Sequence, residues 1–392
     1  GSKIIITPPI TIPSIVSLLE DVHKFQIIPI ESSKSEEDDV IDIDVDTIRK
    51  EIVSQQQQRD EGDSTVAAIM VVHPFGMIFK NGMKGIRQLC DEYGLDFLED
   101  SAECFTSSST ENQYFSDIVF HSFGTIKTFT ALGGGVAIVS NDETSTIATK
   151  MKRLYNYDVV QKQQSPYDYL QKCIRCAIIQ FVAKSPYLYG MLHHIFKVDT
   201  MDDIVTRAIR SNTTTNITNS TQQQQQQQQY QQLGIRKRPC LALLQMMAWR
   251  LQQDNNDNDK DNTIVQKRIR RCREFYKILQ SYDHNNNVSW PKVVSDEGDA
   301  HTYWLAPILV SNRDVVSKKL LALGYDVPKG TSQLQCISDT NDTTKTKNTQ
   351  QMMDSILYLP IASRSDIDLH HLAKAIISAT TTKKEETKKV KF

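Results

Sequence analysis

The feature that most constrains this chain is a sustained alternation, from Lys3 to about Ser140, of short β-rich runs with stretches of helical periodicity. Ile4 to Thr7, Phe25 to Ile30, Ala67 to Val72, Leu95 to Leu98, Asp117 to Phe123 and Gly135 to Val139 are apolar runs of strand length. Between them, Ile12 to Lys24, Asp46 to Gln55 and Asn81 to Tyr93 repeat apolar residues at helical spacing. The last of these stops at Gly94, the residue type that takes the left-handed position after a helix. Strands joined through helices run largely parallel and are buried on both faces, so the pattern predicts an α/β sheet with flanking helices. Ligands on such sheets gather at the carboxyl ends of strands, which makes the residues just after each strand the candidates for function.

The rest of the 392 residues divides by composition. Residues 1–144 hold the alternating pattern. Residues 145–210 carry apolar and aromatic residues at helical spacing and read as a helical insertion over one face of the sheet. Residues 211–232, with the run of glutamines, cannot bury enough apolar surface to order themselves and read as a disordered linker. Residues 233–380 read as a smaller α+β domain, with helices over Leu241 to Leu251, Val265 to Ser281, Val315 to Leu323 and Asp366 to Ser378. Its strands are expected at His301 to Val310 and Ile356 to Leu359. Residues 381–392 form a charged tail, and Gln55 to Gln58, Asp254 to Asn262 and Ser338 to Gln350 read as polar insertions in surface loops.

Composition excludes some classes of partner. Lys+Arg 45 against Asp+Glu 47, a formal net charge of -2, gives no basic field for nucleic acid. Seven scattered cysteines do not form a secreted disulfide framework, and the Cys173/Cys176 pair sits in a helical pattern without a second pair to complete a zinc site. With no signal-peptide pattern and no apolar span of membrane length, a cytoplasmic protein with small-molecule partners is expected.

Three segments carry the chemistry: His73-Pro74-Phe75-Gly76, the run Glu99-Asp100-Ser101-Ala102-Glu103, and Ser122-Phe123-Gly124-Thr125-Ile126-Lys127 followed by Gly133-Gly134-Gly135. Each follows or ends an expected strand. Singly they are ordinary, since a loop lysine is usually solvated, a strand-end aspartate usually caps a helix and a glycine run usually makes a turn. Together they suggest more. An aspartate at the end of an apolar strand enters a place of low dielectric where it needs a cationic partner. A protonated pyridine nitrogen, as in pyridoxal 5'-phosphate (PLP), is such a partner. A nearby lysine could then bind the cofactor's aldehyde, and the Ser122 hydroxyl and turn N–H groups its phosphate.

In that order and spacing the segments resemble the DegT/DnrJ/StrS family of PLP-dependent aminotransferases, best known for nucleotide-sugar amination. The resemblance is densest from Val71 to Asn141 and extends to HTYWLAPILV and LYLPIA near the C-terminus. It implies a fold type I transferase in which Lys127 holds PLP as a Schiff base and Asp100 pairs with the ring nitrogen. Glu103 would lie near the ring hydroxyl, Ser122 at the phosphate and His73 at the cofactor. It also implies a homodimer, an amino-acid donor and a keto acceptor such as a keto-sugar nucleotide. Two departures accompany it. The family's usual N-terminal phosphate-binding turn is expected to lie upstream of Gly1, and Arg236-Lys237-Arg238-Pro239 stands where relatives have an Asn-containing loop. A rival reading is a catalytically silent or truncated homologue acting through protein contacts.

Overall fold

The computed structural model describes residues 3–31, 33–34, 41–57, 65–104, 115–139, 146–153, 162–185, 237–255, 263–295, 298–299, 301–329, 334–337, 343–362 and 366–381. A six-stranded sheet forms from β1 (Lys3–Thr7), β2 (Gln26–Pro29), β3 (Thr65–Val72), β4 (Asp96–Asp100), β5 (Ile118–Ser122) and β6 (Gly135–Val139), in the spatial order β2-β1-β3-β4-β5-β6. All neighbours are parallel except β5 and β6. Alternate residues of each strand point to opposite faces, so a strand buried on both sides must be apolar throughout. Ile4 and Ile6 enter one core, with Ile69, Val71 and Phe97 beside them. Ile5 enters the other, with Ala68, Met70 and Val72.

The first core is closed by α1 (Val45–Gln57) through Ile48 and Ile52, and by α2 (Met83–Tyr93) through Met83, Ile86, Leu89 and Cys90. Gly94 ends α2 at φ 65, as expected from its place in the pattern. The opposite face receives Ile15, Leu19 and Phe25. The helix expected over Ile12 to Lys24 is instead a short α-helix, Pro13–Ser17, running into a wider π turn, Leu18–Val22. In the 145–210 segment, α3 (Thr146–Arg153) and α4 (Pro166–Lys184) are helical, and 186–236, with His193, His194 and the poly-glutamine run, lies outside the described residues. No described helix is long and apolar enough to cross a membrane.

The C-terminal part contributes α5 (Leu241–Asn255), α6 (Ile264–Tyr282), β7 (Val288–Ser289), β8 (Ala306–Val310), α7 (Arg313–Ala322), α8 (Lys347–Ser355), β9 (Ile356–Leu359) and α9 (Leu369–Thr380). Its antiparallel sheet, β7-β8-β9, has one face in each of two cores. Leu357 and Leu359 pack with α6 and α9, whereas Ile356 and Tyr358 pack with the large sheet. Two expectations are corrected here. The strand expected at His301 to Val310 begins only at Ala306, because Tyr303 turns at φ 49 and His301 and Thr302 dock on Gly76 and Met77, just after β3. The tract Ser338 to Gln350, expected to be a polar loop insertion throughout, runs into α8, which buries Thr349 and Met353. Its start is tied down from outside: the Glu31 carboxylate accepts from Thr349 N at 2.8 Å and from Asn348 Nδ2 at 3.1 Å, supplying a helix terminus with the acceptor it lacks locally.

Candidate active site

The site is assembled from the carboxyl ends of β3, β4 and β5. At the end of β5, Ser122 Oγ accepts from Gly124 N at 3.2 Å, and Lys127 N donates to Gly124 O at 3.1 Å, which winds the chain into a tight turn with Lys127 at its exit. The Phe123 carbonyl closes the rest of the loop by accepting from Ala131 N and Gly133 N. Gly134, at φ 80, brings the chain back over α5 so closely that a Cβ there would meet Met247 Sδ at 2.8 Å.

Lys127 Nζ lies 3.4 Å from Glu103 Oε1, and the other oxygen of Glu103 accepts from Phe75 N at 2.9 Å. That second bond explains the backbone at Phe75, held at φ 61, a conformation side chains other than glycine rarely adopt. Burial pushes the Glu103 carboxyl up to about 7, Lys127 and the Phe75 N–H restrain the rise, and Asp100 adds to it. Glu103 is therefore balanced between its charge states near neutrality, with Lys127 Nζ beside it.

Asp100, the last residue of β4, uses one oxygen to accept from Ala102 N at 3.0 Å. Burial raises its pKa, while the Ala102 N–H, Lys127 and His73 pull the other way. Its neighbour Glu99 points to the opposite face, where burial raises its pKa but His73, Ser101 and Ser116 outweigh that and hold it low. Glu99 accepts from Ser101 Oγ at 2.9 Å and Ser116 Oγ at 3.0 Å and meets His73 Nε2 at 3.2 Å. His73 Nδ1 accepts from Phe79 N at 3.2 Å, so Nε2 carries the proton and both nitrogens are committed within the protein. Only the face of the His73 ring remains for a ligand.

A residue the sequence did not point to completes the enclosure. The Trp304 ring lies 4.2 Å from Lys127 Nζ, and its indole N–H donates to Ile126 O at 3.0 Å. Trp304 arrives through the docking of Thr302 to Leu305 on the His73-Pro74-Phe75-Gly76 segment: Thr302 N donates to Gly76 O at 2.7 Å and Leu305 N to Phe75 O at 3.1 Å. A side chain at Gly76 would abut Thr302 Oγ1 at 2.5 Å and Trp304 N at 2.7 Å, so only glycine allows the approach. The aromatic residue in HTYWLAPILV was the signal available, but nothing local says which loop it covers.

The donor set is one that PLP would fit: Lys127 offers an amine, Ser122 a hydroxyl, and Asp100 a carboxylate destabilised by burial, with one oxygen that none of the described residues engages, a partner suited to a ring N–H⁺.

Comparisons with known proteins bear on the fold and on the first half of the sequence. Residues 6–176 match the profile of the DegT/DnrJ/EryC1/StrS aminotransferase family. A GDP-perosamine synthase from Vibrio cholerae is 30% identical over 118 residues, which is 30% of this chain and 31% of that protein, so the matched stretch is under a third of the relative's length. A DegT DnrJ EryC1 StrS aminotransferase from Brucella abortus has the same fold, with a TM-score of 0.56 at 15% identity over 97% of this chain and 80% of that one. NtdA from Bacillus subtilis, solved with bound cofactor PMP, gives a TM-score of 0.53 at 14% identity over 97% of this chain and 68% of its own. The architecture is fold type I of the PLP-dependent transferases, with its mostly parallel sheet and flanking helices.

Proposed function

We propose that this chain, similar over residues 6–176 to the DegT/DnrJ/EryC1/StrS aminotransferase family, is a PLP-dependent aminotransferase moving nitrogen from an amino acid to a keto acceptor, a keto-sugar nucleotide by likeness to the perosamine enzyme. The observation that carries this reading is the convergence of Lys127, Glu103 and Asp100 from separate chain segments beneath Trp304. When bound, PLP supplies an electron sink for the bond broken at the donor's Cα.

The protein's own groups do the rest. Lys127 Nζ would hold the cofactor and, when released, carry the proton that moves between carbon centres. Glu103, balanced between charge states near pH 7, accepts or returns a proton at Lys127 Nζ over 3.4 Å. Asp100 would set its carboxyl group where the ring nitrogen would sit, and Ser122 would present a hydroxyl to the phosphate. The Trp304 ring lies over Lys127 Nζ and covers it on that side. The His73 ring face would lie against the cofactor.

The test is direct: protein mixed with PLP should absorb in the visible range, and borohydride should fix the cofactor on the peptide containing Lys127. Label on a different lysine, or no absorbance, refutes the assignment. We also place the enzyme in a homodimer, which sedimentation as a monomer would contradict. One observation favours the rival interaction role. Tyr167, Leu170, Ile174, Ile178 and Phe181 form an exposed apolar row along α4, as a partner-binding surface would. A chain that self-associates but takes up no PLP would support that role instead.

A further inference from the structure

Lys127 is bracketed by a tie on each of its chain neighbours. Before it, Ile126 O accepts from the Trp304 indole N–H at 3.0 Å. After it, Thr128 Oγ1 accepts from Arg268 Nη1 at 2.9 Å. Arg268, half-buried on α6, also donates through Nε to Thr302 O at 3.0 Å, two residues before Trp304. Thr302 is in turn fixed to the His73-Pro74-Phe75-Gly76 segment, its N donating to Gly76 O at 2.7 Å and its Oγ1 to the same oxygen at 3.1 Å. The bonds close a circuit: from Thr128 through Arg268 to Thr302, along the chain to Trp304, and through Ile126 back past Lys127 to Thr128.

A guanidinium is planar and holds its N–H donors in a fixed fork, so two acceptors engaged by one arginine are set at a defined separation and orientation. An ammonium, one nitrogen on a flexible stem, does not impose this. Both acceptors here are neutral, so Arg268 attaches through directed bonds rather than through an ion pair. The fork fixes residue 128 against residue 302, and with them the groups they flank: the Lys127 amine and the Trp304 ring 4.2 Å from it. It is carried on a rigid element, since α6 buries Cys272, Phe275, Tyr276 and Leu279 in the C-terminal core.

We propose that Arg268 is a positioning residue for Lys127: its guanidinium fork is a strut that holds the Trp304 ring over Lys127 Nζ and keeps that amine in place beside Glu103. Its consequence for the cofactor rests on the PLP reading, whereas the strut itself is complete in the cofactor-free protein. Without the fork the two segments lose one of their ties, and the Lys127 side chain, 15% exposed in the folded chain, is uncovered more often.

The test reads Lys127 directly in the full chain freed of cofactor. N-hydroxysuccinimidyl acetate labels amines at a rate that follows how often they are uncovered, and peptide mass mapping gives that rate at Lys127. Lys319, whose amine donates to Ala379 O at 2.9 Å, monitors general loosening. Thr128→Val keeps nearly the same volume and leaves the Arg268 charge but removes the acceptor, and R268K keeps the charge but loses the fork. Each should raise labelling at Lys127 roughly tenfold, the effect of one lost hydrogen bond to a charged group, with Lys319 unchanged. Added to Trp304→Leu, where the cover is already gone, Thr128→Val should change little. PLP titration of the single variants should show weaker binding than in the parent. Unchanged labelling of Lys127 in Thr128→Val, parent-like labelling in R268K, a rise at Lys127 and Lys319 together, full additivity with Trp304→Leu, or PLP binding equal to the parent's overturns the strut. A selective rise at Lys127 in a protein whose parent form takes up no PLP leaves the strut standing and refutes the cofactor reading instead. Should R268K fail to fold, Thr128→Val alone decides.

Discussion

Replacing Glu103 with Gln should stabilise the cofactor-free protein at alkaline pH and leave it unchanged in acid. Gln has the shape of a protonated Glu, and its amide oxygen can still accept from Phe75 N. In the folded chain Glu103 ionises only at about 7 against an ordinary value of 4.5. At about 1.4 kcal/mol per pH unit, that delay disfavours the ionised folded state by about 3 kcal/mol. The attraction of Lys127 is already contained in the figure, since it helps to set the folded value. Below pH 4.5 the group is protonated in both folded and unfolded chains, so the stability linked to it is fully present. It is lost as pH rises from there through about 7, because the unfolded chain releases the proton first. Gln has no such proton. The gap between E103Q and the parent should therefore be near zero at the acid end and widen to about 3 kcal/mol in favour of the variant above pH 8, on the order of 1 M in urea midpoint. Urea denaturation of both proteins across that range, each freed of cofactor, measures it. A gap that does not widen with pH, or a variant less stable than the parent in alkali, would show that Glu103 is not buried as an acid beside Lys127.

Other substitutions probe the same frame. Asp100→Asn should keep the fold, by circular dichroism, while PLP affinity falls about tenfold or more and the absorbance of the protonated-ring form is lost; an unaltered PLP titration and spectrum would reject the ring-nitrogen role. Trp304→Leu removes the ring over Lys127 and the bond to Ile126 O, each worth about 1 kcal/mol, so PLP should bind roughly tenfold to thirtyfold more weakly by titration. Trp304→Phe should recover the part that depends on the ring, and equal losses in the two variants would argue against the cation-π contact. Phe97→Ala, deep between β4 and α2 at 0% exposure, should cost about 3–5 kcal/mol in equilibrium unfolding. A cost under about 1 kcal/mol would mean that this core is not packed as described.

Much of the architecture was legible in the sequence. Each run that reads as a strand between Ile4 and Val139 is one, to within a few residues, because burial on both faces of a parallel sheet demands continuous apolar residues. The same logic made Asp100 and Lys127 conspicuous: polar residues just beyond apolar strands sit at the sheet's carboxyl edge, and the structure brings them within electrostatic reach of each other. Where local pattern and tertiary packing disagreed, packing won. Thr349 lies in a polar tract that reads as a loop, yet the distant Glu31 carboxylate caps the helix it belongs to.

Sequence alone determined the order of strands and helices and the chemical types at the strand ends, because periodicity and strand termination depend on residues a few positions apart. Only the tertiary structure decided that Trp304 lies over Lys127, that Gly76 admits it, that Arg268 grips Thr128 and that β9 serves two cores at once. The contacts of Trp304, Gly76 and Arg268 join residues well over a hundred positions apart. Which of them form is set by how whole elements dock, and docking is a matter of shape and of buried polar groups finding partners, which no short stretch of sequence records.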